Sequence, residues 1–166
     1  MSGETSLCRI ATEQDLQQLW GKNIARHPDD PRWQRWSEEY IRYNRLGMAV
    51  TFVVTADGDP VGQGTLILSP ECKAVSGRPL LCDGITTGNV NALRIEKAHE
   101  GKHHISAMMQ AMEVHARRRG LTALTIGVEA VETRNIGIYL HWGYTEYVMH
   151  EEDEDGLVLY YRKELA

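Results

Sequence analysis

The sequence predicts a mixed α/β fold of the α+β type, with a central mixed sheet and helices on both faces. Three observations carry this. Two helical patterns precede two strand-like runs joined by a tight turn, a later strand turns directly into a long amphipathic helix, and the chain closes on an antiparallel hairpin. A length of 166 residues fits one domain over 1–166, and a chain of that size buries about 70% of the surface it would expose unfolded.

Taken in order, Leu7 to Ile10 is a brief apolar alternation, and Thr12 then caps a helix over roughly 13 to 25 with acidic residues in its first turn. The segment His27-Pro28-Asp29-Asp30-Pro31 is turn chemistry, and Pro31 is placed to open a second helix. There Trp33, Trp36, Tyr40 and Tyr43 share one face. Met48 to Thr55 and Val61 to Leu68 are strand-like, and Asp57-Gly58 between them favours a hairpin. Residues 69 to 88, with Pro70, Gly77, Pro79, Gly84 and Gly88, read mostly as an irregular excursion.

The stretch from Asn91 to Tyr144 is the most specific. A strand containing Ala92, Leu93 and Ile95 passes through Glu100-Gly101-Lys102-His103-His104-Ile105 into a helix reaching Arg119. On that helix Met108, Met109, Met112 and Ala116 form the core stripe; Gln110, Glu113, Arg117 and Arg118 take other faces, and Gly120 ends it. Thr122 to Val128 reads as a buried strand. The next helix carries Ile136, Tyr139 and Leu140 on one face and stops at Gly143. Val148, the acidic turn Glu151 to Gly156, and Leu157 to Tyr161 make the final hairpin. The order is βααβββαβαββ. A strand that turns straight into a helix aims unpaired N–H groups and the positive dipole end at one point, which suits a phosphate.

Composition narrows the function. A net charge of −5 and a pI near 5.8 lack the basic excess of a nucleic-acid binder. Cys8, Cys72 and Cys82 cannot all pair and lack C-x-x-C spacing, so they read as reduced thiols of a cytoplasmic protein. A polar N-terminus without an apolar run argues against secretion, and no window approaches a membrane span. For His99, His103 and His104 no cysteine or paired carboxylate completes a ligand set, so no metal is expected.

These residues resemble the GNAT superfamily of acyl-CoA-dependent N-acyltransferases, over essentially the whole chain. Leu93-Arg94-Ile95-Glu96-Lys97-Ala98-His99-Glu100-Gly101-Lys102 is similar to the family's strand and pyrophosphate loop. Tyr139-Leu140-His141-Trp142-Gly143-Tyr144 is similar to its second signature. The resemblance implies an acetyl-CoA-dependent N-acetyltransferase acting on a primary amine of a small-molecule or peptide acceptor; the oligomeric state is left open, with a homodimer as one option. It implies that the backbone at Leu93 and Ile95, flanking Arg94, pairs with the acyl-pantetheine arm like another strand. Amides of Glu100, Gly101, Lys102, His103, His104, Ile105 and Ser106 would hold the pyrophosphate, and Tyr139 would protonate the leaving thiolate. The second helix and its partner would border the acceptor pocket. Glu129 at its strand's end is the first candidate base, with Glu132 and Asp83 behind it.

The chain departs from the family loop at three places. Glu100, His103 and Ile105 stand where the family usually has Arg or Gln, Gly, and Gly or Ala, and Glu132 stands where an Asn is common. Glycine there tolerates positive φ and close backbone approach. Lys102, Arg94 and protonated His103 or His104 are the charges available to offset Glu100. The glycine-poor loop motivates an alternative: a catalytically degenerate acyl-CoA-binding sensor or interaction module.

Overall fold

The computed structural model describes residues 3–166. Strand β1 (Ser6–Ile10) leads into helices α1 (Glu13–Arg26) and α2 (Arg32–Arg45), followed by β2 (Ala49–Ala56), β3 (Asp59–Ile67) and β4 (Thr87–Ile95). A 3-10 turn (Lys97–His99) and α3 (His104–Arg118) precede β5 (Ala123–Glu129), α4 (Thr133–His141), β6 (Glu146–Asp153) and β7 (Gly156–Glu164). The strands form one sheet in the order β1-β2-β3-β4-β5-β7-β6. It is mixed: β4 and β5 are parallel, while β1–β2, β5–β7 and β6–β7 are antiparallel. The chain packs as two compact units, one running up to Leu66 with Ala92–Met112, the other comprising Ile67–Asn91 with Glu113–Ala166.

In the first unit, α1 begins on a reciprocal cap: the Asp15 amide donates to Thr12 Oγ1 at 3.1 Å and the Thr12 amide to Asp15 Oδ2 at 2.7 Å. Leu16, Leu19 and Trp20 point inward from this helix, at 5% exposure or less. The aromatic stripe of α2 divides, with Tyr40 and Tyr43 buried and Trp33 and Trp36 only half-buried. Trp33 instead stacks on His27 at 4.0 Å. Asp57 and Gly58 take φ of 51° and 84°, the mirror-image two-residue turn that Asp-Gly favours. Gly62 and Gly64 let α3 close on the sheet. A Cβ at Gly62 would lie 2.7 Å from Ile95 Cδ1, and one at Gly64 2.8 Å from Leu93 Cδ1 and 3.0 Å from Met112 Cε. Gln63, between them, faces the other way and accepts from Asn23 Nδ2 of α1 at 3.2 Å. Helices therefore cover both faces.

In the second unit the excursion is better packed than its glycines and prolines suggest. Cys72, Val75, Leu81 and Cys82 are buried. It also ends earlier than expected: β4 starts at Thr87, several residues before the apolar cluster. Asp83 organises this start by accepting from the amides of Ile85, Thr86 and Thr87 at 2.8–2.9 Å. Asn89 then donates to Thr125 Oγ1 at 2.9 Å, and Thr125 to the Leu81 carbonyl at 2.7 Å. Glu113, expected on an outer face of α3, is buried at 7% exposure. Its carboxylate accepts from the Tyr144 hydroxyl at 3.1 Å and from Lys163 Nζ at 2.9 Å, so a buried charge is paired on both oxygens. All three cysteines are free. Among the described residues no helix is long and apolar enough to cross a membrane.

Candidate functional site

The parallel register of β4 and β5 runs from Thr87↔Ala123 to Val90↔Ile126. Two residues further, Ala92 takes φ of 51° in the interior of β4. A left-handed non-glycine residue inside a strand re-aims the chain as a bulge does, and it persists only where the surroundings over-determine it. Beyond it Leu93 and Ile95 point toward Met112 and Met108 of α3, as their approach to Gly64 and Gly62 shows. Arg94 points to the opposite face. Its guanidinium carbon lies 4.8 Å from the Trp33 ring centroid and 5.5 Å from that of Trp20.

The loop follows from local backbone constraints. The Glu96 amide donates to Val61 O at 2.8 Å, and Glu100 N–H to Lys97 O at 3.3 Å closes the 3-10 turn. Gly101 and His103 then take φ of 78° and 64°. His103 thus holds the left-handed conformation of the glycine it replaces, which histidine tolerates better than branched residues do. The first amide of α3 with a backbone acceptor is that of Ala107, donating to His103 O at 3.0 Å. The amides of residues 101–106 have no acceptor among the described residues, so they remain available to an anion.

The charges expected to balance Glu100 are deployed otherwise. Lys102 Nζ donates to Glu4 Oε1 at 3.2 Å, and Arg94 is held between two indoles. Burial, with His99 and Lys102 nearby, pulls the His104 pKa below its ordinary value, so this imidazole is held neutral rather than supplying a cation. Glu4, His99 and His104 bring their donor atoms within 4.8 Å of one another. No local pattern reveals Glu4 as the third member, since it lies some ninety residues away in sequence. The Lys102 ammonium already shares its carboxylate and opposes a further positive charge there.

The second unit holds the acid–base candidates. Tyr139 on α4 is half-buried, with its ring 5.9 Å from that of Trp142. Burial and the negative charge of Glu132 raise its pKa, which keeps the phenol protonated at neutral pH. Glu129 is exposed at the end of β5 opposite Val158, and its carbonyl accepts from the Glu132 amide at 2.9 Å. Asp83 is a weaker base than its position suggested. Burial pushes its pKa up, but bonds from the Thr86 hydroxyl and the three loop amides outweigh this and hold the carboxyl well below the usual range. Tyr144, the aromatic of the second signature, is buried; its amide donates to the Tyr139 carbonyl at 3.0 Å and so fixes the turn carrying Tyr139.

Residues 11–144 match the model of the Acetyltransferase (GNAT) family, and the chain belongs to that family. It is similar in fold to an N-acetyltransferase from Staphylococcus aureus Mu50, with a TM-score of 0.70 at 16% identity over 98% of this chain and 99% of that one. YncA, described as a putative acetyltransferase from Salmonella typhimurium with its cofactor acetyl-CoA, gives 0.68 at 15% over 97% and 94%. A ribosomal-protein-alanine N-acetyltransferase from Brucella melitensis gives 0.69 at 18% over 96% and 99%. No curated protein sequence matches the chain.

Proposed function

We propose that this chain, as a single acetyltransferase domain, moves an acetyl group from acetyl-CoA to a primary amine of a small-molecule or peptide acceptor by direct attack. The observation that carries the reading is the run of amides at 101–106 with no acceptor among the described residues, set between β4 and the start of α3. The amides of Gly101 to Ser106 hold the pyrophosphate, and the β4 backbone at Leu93 and Ile95 pairs with the pantetheine arm as an added strand. In the reaction the amine nitrogen forms a bond to the thioester carbon and the carbon–sulfur bond breaks. The amine proton passes through water to Glu129, and Tyr139 protonates the departing thiolate, giving an N-acetyl amine and CoA. The raised pKa of Tyr139 supports its role as the acid.

A thermal-shift titration with acetyl-CoA, CoA and an adenine nucleotide tests the binding half, because a ligand of the folded state raises its melting temperature. Thiol release from acetyl-CoA in the presence of an amine panel tests the chemistry. CoA binding without transfer to any amine would instead support the sensor reading that Glu100, His103 and Ile105 motivate. Absence of any shift at millimolar CoA would remove both.

A further inference from the structure

The face of the first unit that α1 and α2 cover carries a cluster of N–H donors with no acceptor among the described residues. Three facts place Gln63 directly across from Arg94. A Cβ at Gly62 would meet Ile95, one at Gly64 would meet Leu93, and the Glu96 amide donates to Val61 O. These contacts run in opposite senses along β3 and β4, so the strands are antiparallel and the register falls 61 with 96, then 63 with 94. Directly opposite residues have Cβ atoms roughly 5 Å apart. Gln63 is 1% exposed, and its Nε2 has no hydrogen-bond partner among the described residues. Trp20, 1% exposed, stands over the same guanidinium and leaves its Nε1 unpartnered. Arg94 Nη1 is likewise buried without a partner.

Three buried donors, one of them cationic, share this neighbourhood with no acceptor among the described residues. Trp20 and Trp33 hold the guanidinium by cation–π contact, which fixes its direction but leaves its charge without an anion. Interchanging the amide ends of Asn23 and Gln63 would not supply that anion. Arg94 is half-buried, but its Nη1 is enclosed without a partner, which is costly, and an entering oxyanion would supply the missing acceptor. Arg94 lies two residues from the left-handed Ala92, on the segment of β4 assigned to the thioester arm.

We infer that Arg94, with Gln63 and Trp20, recognises a carboxylate on the acceptor, so that the acceptor is a small amino acid rather than a simple amine or polyamine. This rests on the acetyl-transfer reading above.

The test is the acetylation of a panel of α- and ω-amino acids, each set against its carboxamide, by the full chain and by Arg94→Met, Arg94→Lys and Gln63→Leu. The wild type should prefer at least one acid over its amide by roughly 10- to 150-fold in kcat/KM, the range for a charge-assisted hydrogen bond. That ratio should collapse toward one in Arg94→Met, fall partly in Arg94→Lys, where a point charge replaces the fork, and fall in Gln63→Leu. Tryptophan emission on titrating the same compounds without CoA reads the site directly, since Trp20 and Trp33 flank it, and it does so even if no acetyl is transferred. Transfer with no preference for acid over amide would overturn the inference while sparing the catalytic reading. So would a ratio that survives in Arg94→Met, or a CoA thermal shift that Arg94→Met reduces as much as it reduces acid binding, since the anion would then belong to the cofactor.

Discussion

Replacing Glu113 by alanine should cost about 3–5 kcal/mol of stability, a large part of what holds a domain of this size folded. The carboxylate accepts from the Tyr144 hydroxyl at 3.1 Å and from Lys163 Nζ at 2.9 Å, with Arg117 Nη2 3.8 Å away. Tyr144 is fully buried and the Glu113 and Lys163 side chains are 9% and 24% exposed. Alanine removes the Tyr144 hydroxyl's bond to a charged acceptor, at about 1.5–3 kcal/mol, and strips a partly buried ammonium of its anion, at about 1.5–3 kcal/mol. At about 2–4 °C per kcal/mol for a chain of this length, the melting temperature should fall by roughly 6–20 °C. Thermal and urea unfolding followed by circular dichroism would measure it. The triple variant Glu113→Leu, Tyr144→Phe, Lys163→Met removes the two groups that donate to the carboxylate, with the part-exposed Arg117 left to solvent, and should regain most of the loss. A Glu113→Ala cost below about 1 kcal/mol, or a triple variant no better than the single one, would refute the account of a paired buried charge.

Three further outcomes follow from the site. Tyr139→Phe should lower kcat by about 10- to 1000-fold while leaving the CoA thermal shift in place, and the wild-type rate should show no alkaline loss from this group below about pH 10; an unaltered rate in the variant removes the role. His103→Gly should be neutral or stabilising by up to about 1 kcal/mol, because it relieves a side chain at φ of 64°, and should retain CoA binding; lost binding by calorimetry would show that the imidazole itself grips the ligand. Asp15 and Asp83 have pKa values held below the ordinary 3.8, Asp15 chiefly by the bond from Arg9 and Asp83 by the loop donors that outweigh its burial. Their contribution is therefore full above that value and is lost as pH falls through the folded-state values. The melting temperature should drop steeply below about pH 4, and Asp83→Asn should flatten that slope while lowering stability at neutral pH.

The element order and the loop were legible because their signals are local. Thr12 with Asp15 announced α1, Asp57-Gly58 the hairpin, and the methionine spacing the core of α3. What escaped depends on partners distant in sequence. Thr87, Gly88 and Asn89 carry no apolar alternation, so the first half of β4 is visible only once Asp83 and Thr125 are seen to hold it. Glu113 reads as a surface residue until Tyr144 and Lys163 arrive from the far end of the chain. The loop was legible as a turn from strand straight into helix, and the positive φ of His103 gives it a left-handed step without glycine. The orphan donors of Arg94, Gln63 and Trp20 were out of reach because strand register and helix packing together bring them into one place.

Ala92 leaves a mark on what this lineage can become. A residue whose peptide must sit at φ of 51° is selected by its main chain rather than by its neighbours, and valine, isoleucine or threonine would meet a steric barrier there that no repacking removes. Glycine, asparagine and aspartate are the replacements this backbone accepts most readily, a limit set by the main chain and separate from the packing of Leu93 and Ile95.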